Sequence, residues 1–281
     1  DLRRDTVLNL ADMGIPVKYS HHEGAPSQHE IDLQYTDALT MADNVMTAKL
    51  LIKELAQQAS AYATFMPKPM SKMNGSGMHI HQSLFQGDKN MFFDSDDEHQ
   101  LSITGKRFIA GLLHHAPEIT LITNQWVNSY KRLVPGFEAP AFISWAHTSR
   151  SDLIRVPAFK PGHESSMRVE YRAPDPACNP YLAFSVMLAA GFKGIKDEYP
   201  VPPAVEGNVF AMTPDERQSK GIRALPGSLG ESIAIAEGSE LLEEALGGHI
   251  LNSVIQNKTM EWDEYRATVT DYERSRYLPI L

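Results

Sequence analysis

Met78-His-Ile-His-Gln-Ser-Leu84 and Met167-Arg-Val-Glu-Tyr-Arg172 are the two stretches on which the fold turns. Both alternate. In an extended chain successive side chains point to opposite faces. His79, His81 and Ser83 therefore share one face, while Met78, Ile80, Gln82 and Leu84 take the other. In the second stretch Arg168, Glu170 and Arg172 share a face, opposite Val169 and Tyr171. Two strands with one polar face each predict a sheet whose polar side opens on a wet, ligand-filled cavity.

Outward from these strands, helical spacing dominates. Residues 2–13 read as a helix stopped by Gly14, a common helix terminator. Ile15 to Tyr19 reads as a strand, and Glu23 to Glu30, with Gly24 and Pro26, as a loop returning into extended chain. Ala38 to Ser60 is a long amphipathic helix. Ala61 to Pro67 is expected as a strand, and Lys68 to Gly77 as a loop. Residues 102–117 and 118–125 are expected as helices, and 126–166 as long functional loops with short strands. Pro180 to Lys196 is apolar nearly all round and predicts a buried helix. Helices are expected near 214–220, 228–236, 239–246, 247–257 and 260–268. Sheet interleaved with helices, followed by a helical tail, is an α+β architecture.

Bulk properties narrow the function. A chain of 281 residues that is 42% hydrophobic has ample core for one large domain or two smaller ones. A formal net charge of −9 argues against a nucleic-acid surface and for small-molecule ligands. Cys178 is the one cysteine, so no internal disulfide forms and a cytoplasmic setting is expected. No apolar run reaches the roughly 20 residues that span a bilayer, so no membrane partner is expected. The chain starts at Asp1 and is helical almost at once, which reads as a fragment with its beginning missing.

Four constellations carry chemistry. His79, His81 and Ser83 follow Asn74-Gly-Ser-Gly77, whose glycines let backbone bend closely around a ligand. A His-x-His pair alone is equally an ordinary structural feature. Arg168, Glu170 and Arg172 on one strand face are, in isolation, a solvated ion-paired edge. Glu23 and Glu30 bracket Gly-Ala-Pro-Ser-Gln-His, and two loop carboxylates suit a hard cation or are simply surface residues. With Glu170 and a histidine they make an oxygen-rich set that suits Mg²⁺ or Mn²⁺ better than zinc. Arg132, Arg150 and Arg155, with Arg172, match carboxylate and phosphate through paired donors. Between them Pro135-Gly-Phe-Glu-Ala-Pro140 places Glu138 in a segment able to act as a flap or as a rigid turn. Neither a Walker-type loop nor G-x-G-x-x-G is present.

Taken together, five segments resemble the glutamine synthetase family, in its order and over nearly the whole chain. Lys68 to Leu84 resembles the family's ATP-region signature, and Asn128-Ser-Tyr-Lys-Arg-Leu-Val-Pro-Gly-Phe-Glu-Ala-Pro140 its glutamate flap. Arg150-Ser-Asp-Leu-Ile-Arg-Val-Pro157 resembles the phosphate-side segment. Met167 to Leu182 resembles the late catalytic strand and buried helix, and His21 to Asp32 the metal loop. The resemblance implies a type I-like catalytic domain over residues 1–281. Its curved antiparallel sheet would be lined with active-site residues and backed by helices. It implies metal ligation by Glu23 and Glu30 at one ion and by His79 and Glu170 at a second. It implies nucleotide contacts from His81, Ser83, Arg150 and Arg155, and a glutamate site at Asn74, Gly75, Arg132 and Arg172. Glu138 and Arg150 would be catalytic. The implied reaction joins ammonia to the γ-carboxylate of glutamate, with ATP as co-substrate and two Mg²⁺ or Mn²⁺ ions. The implied assembly is a dodecameric homo-oligomer with sites at subunit interfaces.

The family's E-x-E strand, which gives a carboxylate to each metal, and its N-terminal β-grasp domain have no counterpart in these residues. Residues 1–281 alone are therefore expected to be inactive. No tyrosine loop for adenylylation is recognisable after Gly194. Two alternatives stand beside ammonia ligation. One is a family member that ligates a larger amine such as a polyamine, with Trp126 and Phe137 shaping the amine pocket. The other, a non-catalytic scaffold or regulator, needs none of Glu138, His79, Glu170 or the four arginines.

Overall fold

The computed structural model describes residues 2–160 and 162–281. Helix α1 (Leu2–Asp12) leads into an antiparallel hairpin, β1 (Val17–His22) and β2 (His29–Leu33). Helix α2 (Ala38–Gln58) starts where the Asp37 carboxylate accepts from the Thr40 amide, the usual N-terminal cap. Leu10, Ile15 and Ala48 close a small apolar cluster between α1, α2 and the hairpin.

The central sheet has four strands in the order β3 (Ile80–Gln82), β8 (Val169–Tyr171), β7 (Ile154–Arg155), β6 (Trp145–Ala146). Both alternating stretches are strands of this sheet, as expected, and the structure makes them neighbours, with His81 opposite Glu170 and Ile80 opposite Tyr171. The sheet is antiparallel from β3 through β8 to β7, but β6 runs parallel to β7. A two-residue hairpin, β4 (Phe85–Gln86) and β5 (Lys89–Asn90), follows β3.

Helices α3 (Ile103–Thr123) and α5 (Pro180–Lys196) back the sheet, and α7 (Leu229–Ala236) and α8 (Glu240–Ala267) pack against them. Val169 and Tyr171 point into this core and are fully buried, as are Phe108, Leu112 and Ile119 of α3. The α3–α5 crossing is closed by backbone. A Cβ on Gly194 would sit 2.3 Å from the Arg107 carbonyl oxygen and 2.6 Å from Gly111 Cα. A larger residue there would force the helices apart. The remaining helices are short: α4 (Ser129–Arg132), α6 (Pro214–Ser219) and α9 (Asp271–Tyr277).

The α+β architecture and helical tail stand, with local corrections. Residues 61–67 form no strand. They cross the surface as irregular chain, and Tyr62 is exposed. The expected helices 102–117 and 118–125 are one, running through Pro117. The expected helices 239–246, 247–257 and 260–268 are one element, broken only at Gly247, whose φ of 75° is left-handed. Helix α9, begun by a Thr270–Glu273 capping box, is additional to the expected set. Among the described residues no helix is long and apolar enough to cross a membrane.

Candidate active site

The sheet's polar face is organised around Glu170. This carboxylate is 2% exposed and sits between two arginines: Arg155 Nε donates to Oε2 at 2.5 Å and Arg172 Nη1 to Oε1 at 2.6 Å. His79 Nδ1 lies 3.3 Å from Oε1. Burial raises the proton affinity of Glu170, but Arg172, His79, His81 and Arg155 outweigh it and hold the carboxyl below its usual range. Burial, reinforced by Arg172 and opposed by Glu170, lowers His79 to about 3. His81 is lowered too, chiefly by burial, and its Nδ1 accepts from Arg168 Nε at 3.3 Å. Both imidazoles are therefore neutral near pH 7, the form in which a ring nitrogen can ligate a metal. His79 and His81 thus lie on the Glu170 side, while Ile80 and Leu84 pack on the core. Ser83, just beyond β3, is exposed and makes no hydrogen bond among the described residues.

The second cluster sits on the β1–β2 hairpin. His21, Glu23 and Glu30 each offer a ligand atom, and these atoms all lie within 4.8 Å of one another. His21 Nε2 is 3.6 Å from Glu30 Oε1, and His21 Nδ1 is 3.8 Å from Glu23 Oε1. Burial first, then Glu23 and Asp32, raise Glu30 to about 7. Carboxylates held this close, with no arginine between them, form a site whose charge a divalent cation would balance. The donor chemistry fits Mg²⁺ or Mn²⁺. His21 was not among the expected ligands. Its signal was its place opposite Glu30 across the hairpin, which only strand register reveals.

Three loops converge on Asn74. Its Nδ2 donates to Glu138 Oε2 at 3.2 Å and lies 3.1 Å from where a Cβ on Gly24 would stand. Gln28 of the hairpin loop donates to the Gly75 carbonyl at 3.0 Å. The hairpin, the glycine loop and the Glu138 segment therefore form one rim. Glu138 is exposed and has φ of 55°, a left-handed conformation uncommon for glutamate, beside Gly136 at 97°. Such backbone recurs at functional sites.

The arginines divide. Arg172 and Arg155 face Glu170, as above. Arg150 is exposed, with no hydrogen bond or ion pair among the described residues, and is free to meet a ligand. Arg132 is buried, and its guanidinium donates to the carbonyls of Ala173 at 2.6 Å and Arg172 at 3.1 Å. Its stem supports the glycine loop: a Cβ on Gly75 would come within 3.0 Å of Arg132 Cγ and 2.4 Å of the Pro67 oxygen. In this structure Arg132 shapes the loop from beneath. Trp126 Nε1 donates to the Ala177 carbonyl at 3.1 Å. Lys258 Nζ covers its ring at 3.7 Å, and it lines a groove with Met66, Pro67, Lys131, Glu261 and Tyr265.

Comparison with known proteins places this geometry. The family model described as "Glutamine synthetase, catalytic domain" matches residues 1–277. A glutamine synthetase of Mycolicibacterium smegmatis is 53% identical over 280 residues, covering 100% of this chain and 63% of that protein. One from Methanosarcina mazei is 50% identical over 281 residues, covering 100% of this chain and 62% of that protein. Among solved structures, a GmaS/ADP complex superposes with a TM-score of 0.90 at 32% identity, covering 99% of this chain and 64% of that one. The Plasmodium falciparum glutamine synthetase superposes with a TM-score of 0.88 at 30% identity, covering 98% and 61%. The chain therefore spans less than two thirds of the length of these relatives.

Proposed function

The chain belongs to the glutamine synthetase family, and from that premise we propose that it forms the catalytic domain of an ATP-dependent ligase that joins ammonia to the γ-carboxylate of glutamate. The observation that carries the proposal is the convergence of flap, glycine loop and carboxylate hairpin at Asn74. That rim brings the Glu138 carboxylate to the same loop, at Asn74, that the carboxylate-bearing hairpin contacts through Gln28.

A carboxylate does not condense usefully with ammonia in water and must first be activated. A γ-carboxylate oxygen of glutamate attacks the terminal phosphorus of ATP. The bond from that phosphorus to its bridging oxygen breaks, and ADP leaves. Ammonium gives a proton to Glu138, and the resulting ammonia attacks the acyl carbon. The carbon–oxygen bond to phosphate breaks, a second proton is lost, and glutamine and phosphate are the products. Asn74, Gly75, Arg132 and Arg172 are assigned to glutamate, with Arg132 acting through the loop it supports. Arg150 and Arg155 offset charge on the transferred phosphoryl group, with Arg150 in contact with it. His81 and Ser83 are assigned to the nucleotide. A divalent cation at His21, Glu23 and Glu30, and another at His79 and Glu170, would supply positive charge against phosphate and carboxylate oxygens. Glu138 in its closed position keeps water from the acyl phosphate. Family membership also supports a cytoplasmic homo-oligomer with sites between subunits.

The test is glutamate- and ammonium-dependent phosphate release from ATP by the full-length protein that carries residues 1–281, with one glutamine formed per phosphate. Polyamines in place of ammonium test the choice of amine. Glutamine formation that survives Glu138→Ala undiminished would overturn the role of the flap. Faster turnover with a polyamine than with ammonium would replace the acceptor.

A further inference from the structure

Lys68 is 6% exposed, and among the described residues it makes no ion pair. Burying an ammonium without a carboxylate is costly, and a methionine would fill the space without that cost. Its Nζ does two things here. It donates to the Met73 carbonyl at 2.5 Å and lies 3.5 Å from the centroid of the Phe137 ring. Met73 immediately precedes Asn74, and Phe137 immediately precedes Glu138. Since Asn74 donates to Glu138, the contacts close a ring: Lys68 to Met73, Asn74 to Glu138, Phe137 back to Lys68.

The base of Lys68 is fixed as firmly as its tip. Its amide donates to Asn128 Oδ1 at 2.7 Å, and Asn128 Nδ2 returns a bond to the Lys68 carbonyl at 3.1 Å. Asn128 begins the short helix α4 that leads into the flap. The backbone of Lys68 is thus pinned at the root of the flap segment while its ammonium covers the aromatic residue at the top. Among the described residues nothing comparable holds Pro135 or Gly136, which are exposed.

We propose that Lys68 is the latch of the Glu138 flap: a positioning residue that holds the flap against the Asn74 loop through a cation–π contact with Phe137. Its catalytic consequence rests on the function proposed above. The latch itself is a conformational claim and can be tested without substrate. A desolvated cation–π contact is strong enough to shift an open–closed ratio by ~10-fold. Aromaticity at 137 and a cation at 68 are then both required, and neither suffices alone.

The experiment is limited digestion of the protein with a glutamate-specific protease, with cutting after Glu138 followed by mass spectrometry. When opening is fast relative to cleavage, the rate reports the open population. Lys68→Met and Phe137→Leu should each raise cutting after Glu138 by ~10-fold. Lys68→Arg and Phe137→Tyr should leave it near the original rate. The double variant should add little to either single change, because both remove one contact. Cutting after exposed Glu98 is the control for general loosening. Unchanged cutting after Glu138 in Lys68→Met, equal acceleration in Lys68→Arg, or full additivity in the double variant overturns the latch. If Lys68→Met fails to fold, Phe137→Leu against Phe137→Tyr decides: equal rates overturn the latch and a ~10-fold difference supports it. In the activity assay, Lys68→Met should release more phosphate than glutamine, because an open flap admits water to the acyl phosphate. A flap that loosens in the protease assay, in a full-length protein that forms no glutamine at all, would leave the latch standing and overturn the proposed function.

Discussion

The two carboxylate clusters are built on opposite electrostatic plans. Glu170 is buried and already neutralised, with one oxygen bonded to Arg155 and the other to Arg172. Glu23 and Glu30 are partly exposed, press on each other and on Asp32, and have His21 but no arginine or lysine paired with them among the described residues. The sheet cluster sets one carboxylate against two guanidiniums, so a cation must enter it by competing with them. The hairpin cluster is a standing excess of negative charge. One sequence thus places its acidic residues twice, once for stability and once against it. The difference lies in which strand supplies the arginines.

The sharpest test of that contrast removes one carboxylate from each cluster. Glu170→Ala leaves Arg155 and Arg172 facing each other in a buried site, and should cost about 3–5 kcal/mol of unfolding free energy. Glu23→Ala, in the absence of metal, should change stability by less than about 0.5 kcal/mol. Urea denaturation of both variants checks this. Equal losses would erase the distinction between the clusters.

Adding Mn²⁺ should narrow the gap between the two variants. Binding to the folded state alone stabilises by about 2.7 kcal/mol at a hundredfold excess over the dissociation constant. That increment should disappear in Glu30→Gln. Thermal unfolding with and without Mn²⁺ reads it directly, and a full increment in Glu30→Gln would remove the hairpin as a cation site.

These clusters also show what was legible in the sequence. The polar strand faces, the buried helix Pro180–Lys196 and the long helix beginning at Ala38 follow from local periodicity, and the structure repeats them. Glu23 and Glu30 read equally as a cation site or as surface residues, and it is the family resemblance that singles them out. The pairing of Glu170 with Arg155 was not legible, because it depends on β7 lying beside β8, a non-local register. The parallel β6–β7 pair escaped for the same reason, since two-residue strands carry almost no periodic signal. The positive φ of Glu138 and the burial of Arg132 beneath the glycine loop are set by tertiary packing. Residues 61–67 look strand-like, yet no partner edge meets them, and the hydrogen-bond ladder that makes a strand never forms.

Acid and base separate the clusters by sign. Glu30 has its folded-state proton affinity raised to about 7, so its charge opposes folding. That penalty is absent while Glu30 is protonated in both states. It grows as pH rises above the ordinary glutamate range and is complete once pH passes about 7. Glu170 is held below its ordinary range, so its contribution is present near neutrality and is lost only as pH falls through the folded value. Metal-free protein should therefore lose some stability between about pH 5 and pH 7, and Glu30→Gln should flatten that slope. Denaturation midpoints across this window check it, and a slope that survives in Glu30→Gln would locate the repulsion elsewhere.

The smallest expected effect falls on a residue that belongs to neither plan. Ser83 is exposed just past the end of β3, with no hydrogen bond among the described residues, so the folded protein does not depend on its hydroxyl. Ser83→Ala should leave unfolding free energy within about 0.5 kcal/mol of the original. If its hydroxyl meets the nucleotide, as proposed, the loss is one hydrogen bond of about 0.5–1.5 kcal/mol, or roughly a 2- to 12-fold weaker ATP affinity. Glutamate affinity should not move, because Asn74, Gly75 and Arg172 are untouched. Calorimetric titration with ATP and with glutamate separates these outcomes. An ATP affinity equal to the original would take Ser83 out of the nucleotide site and leave His81 as the last polar group of that strand face to meet the ligand.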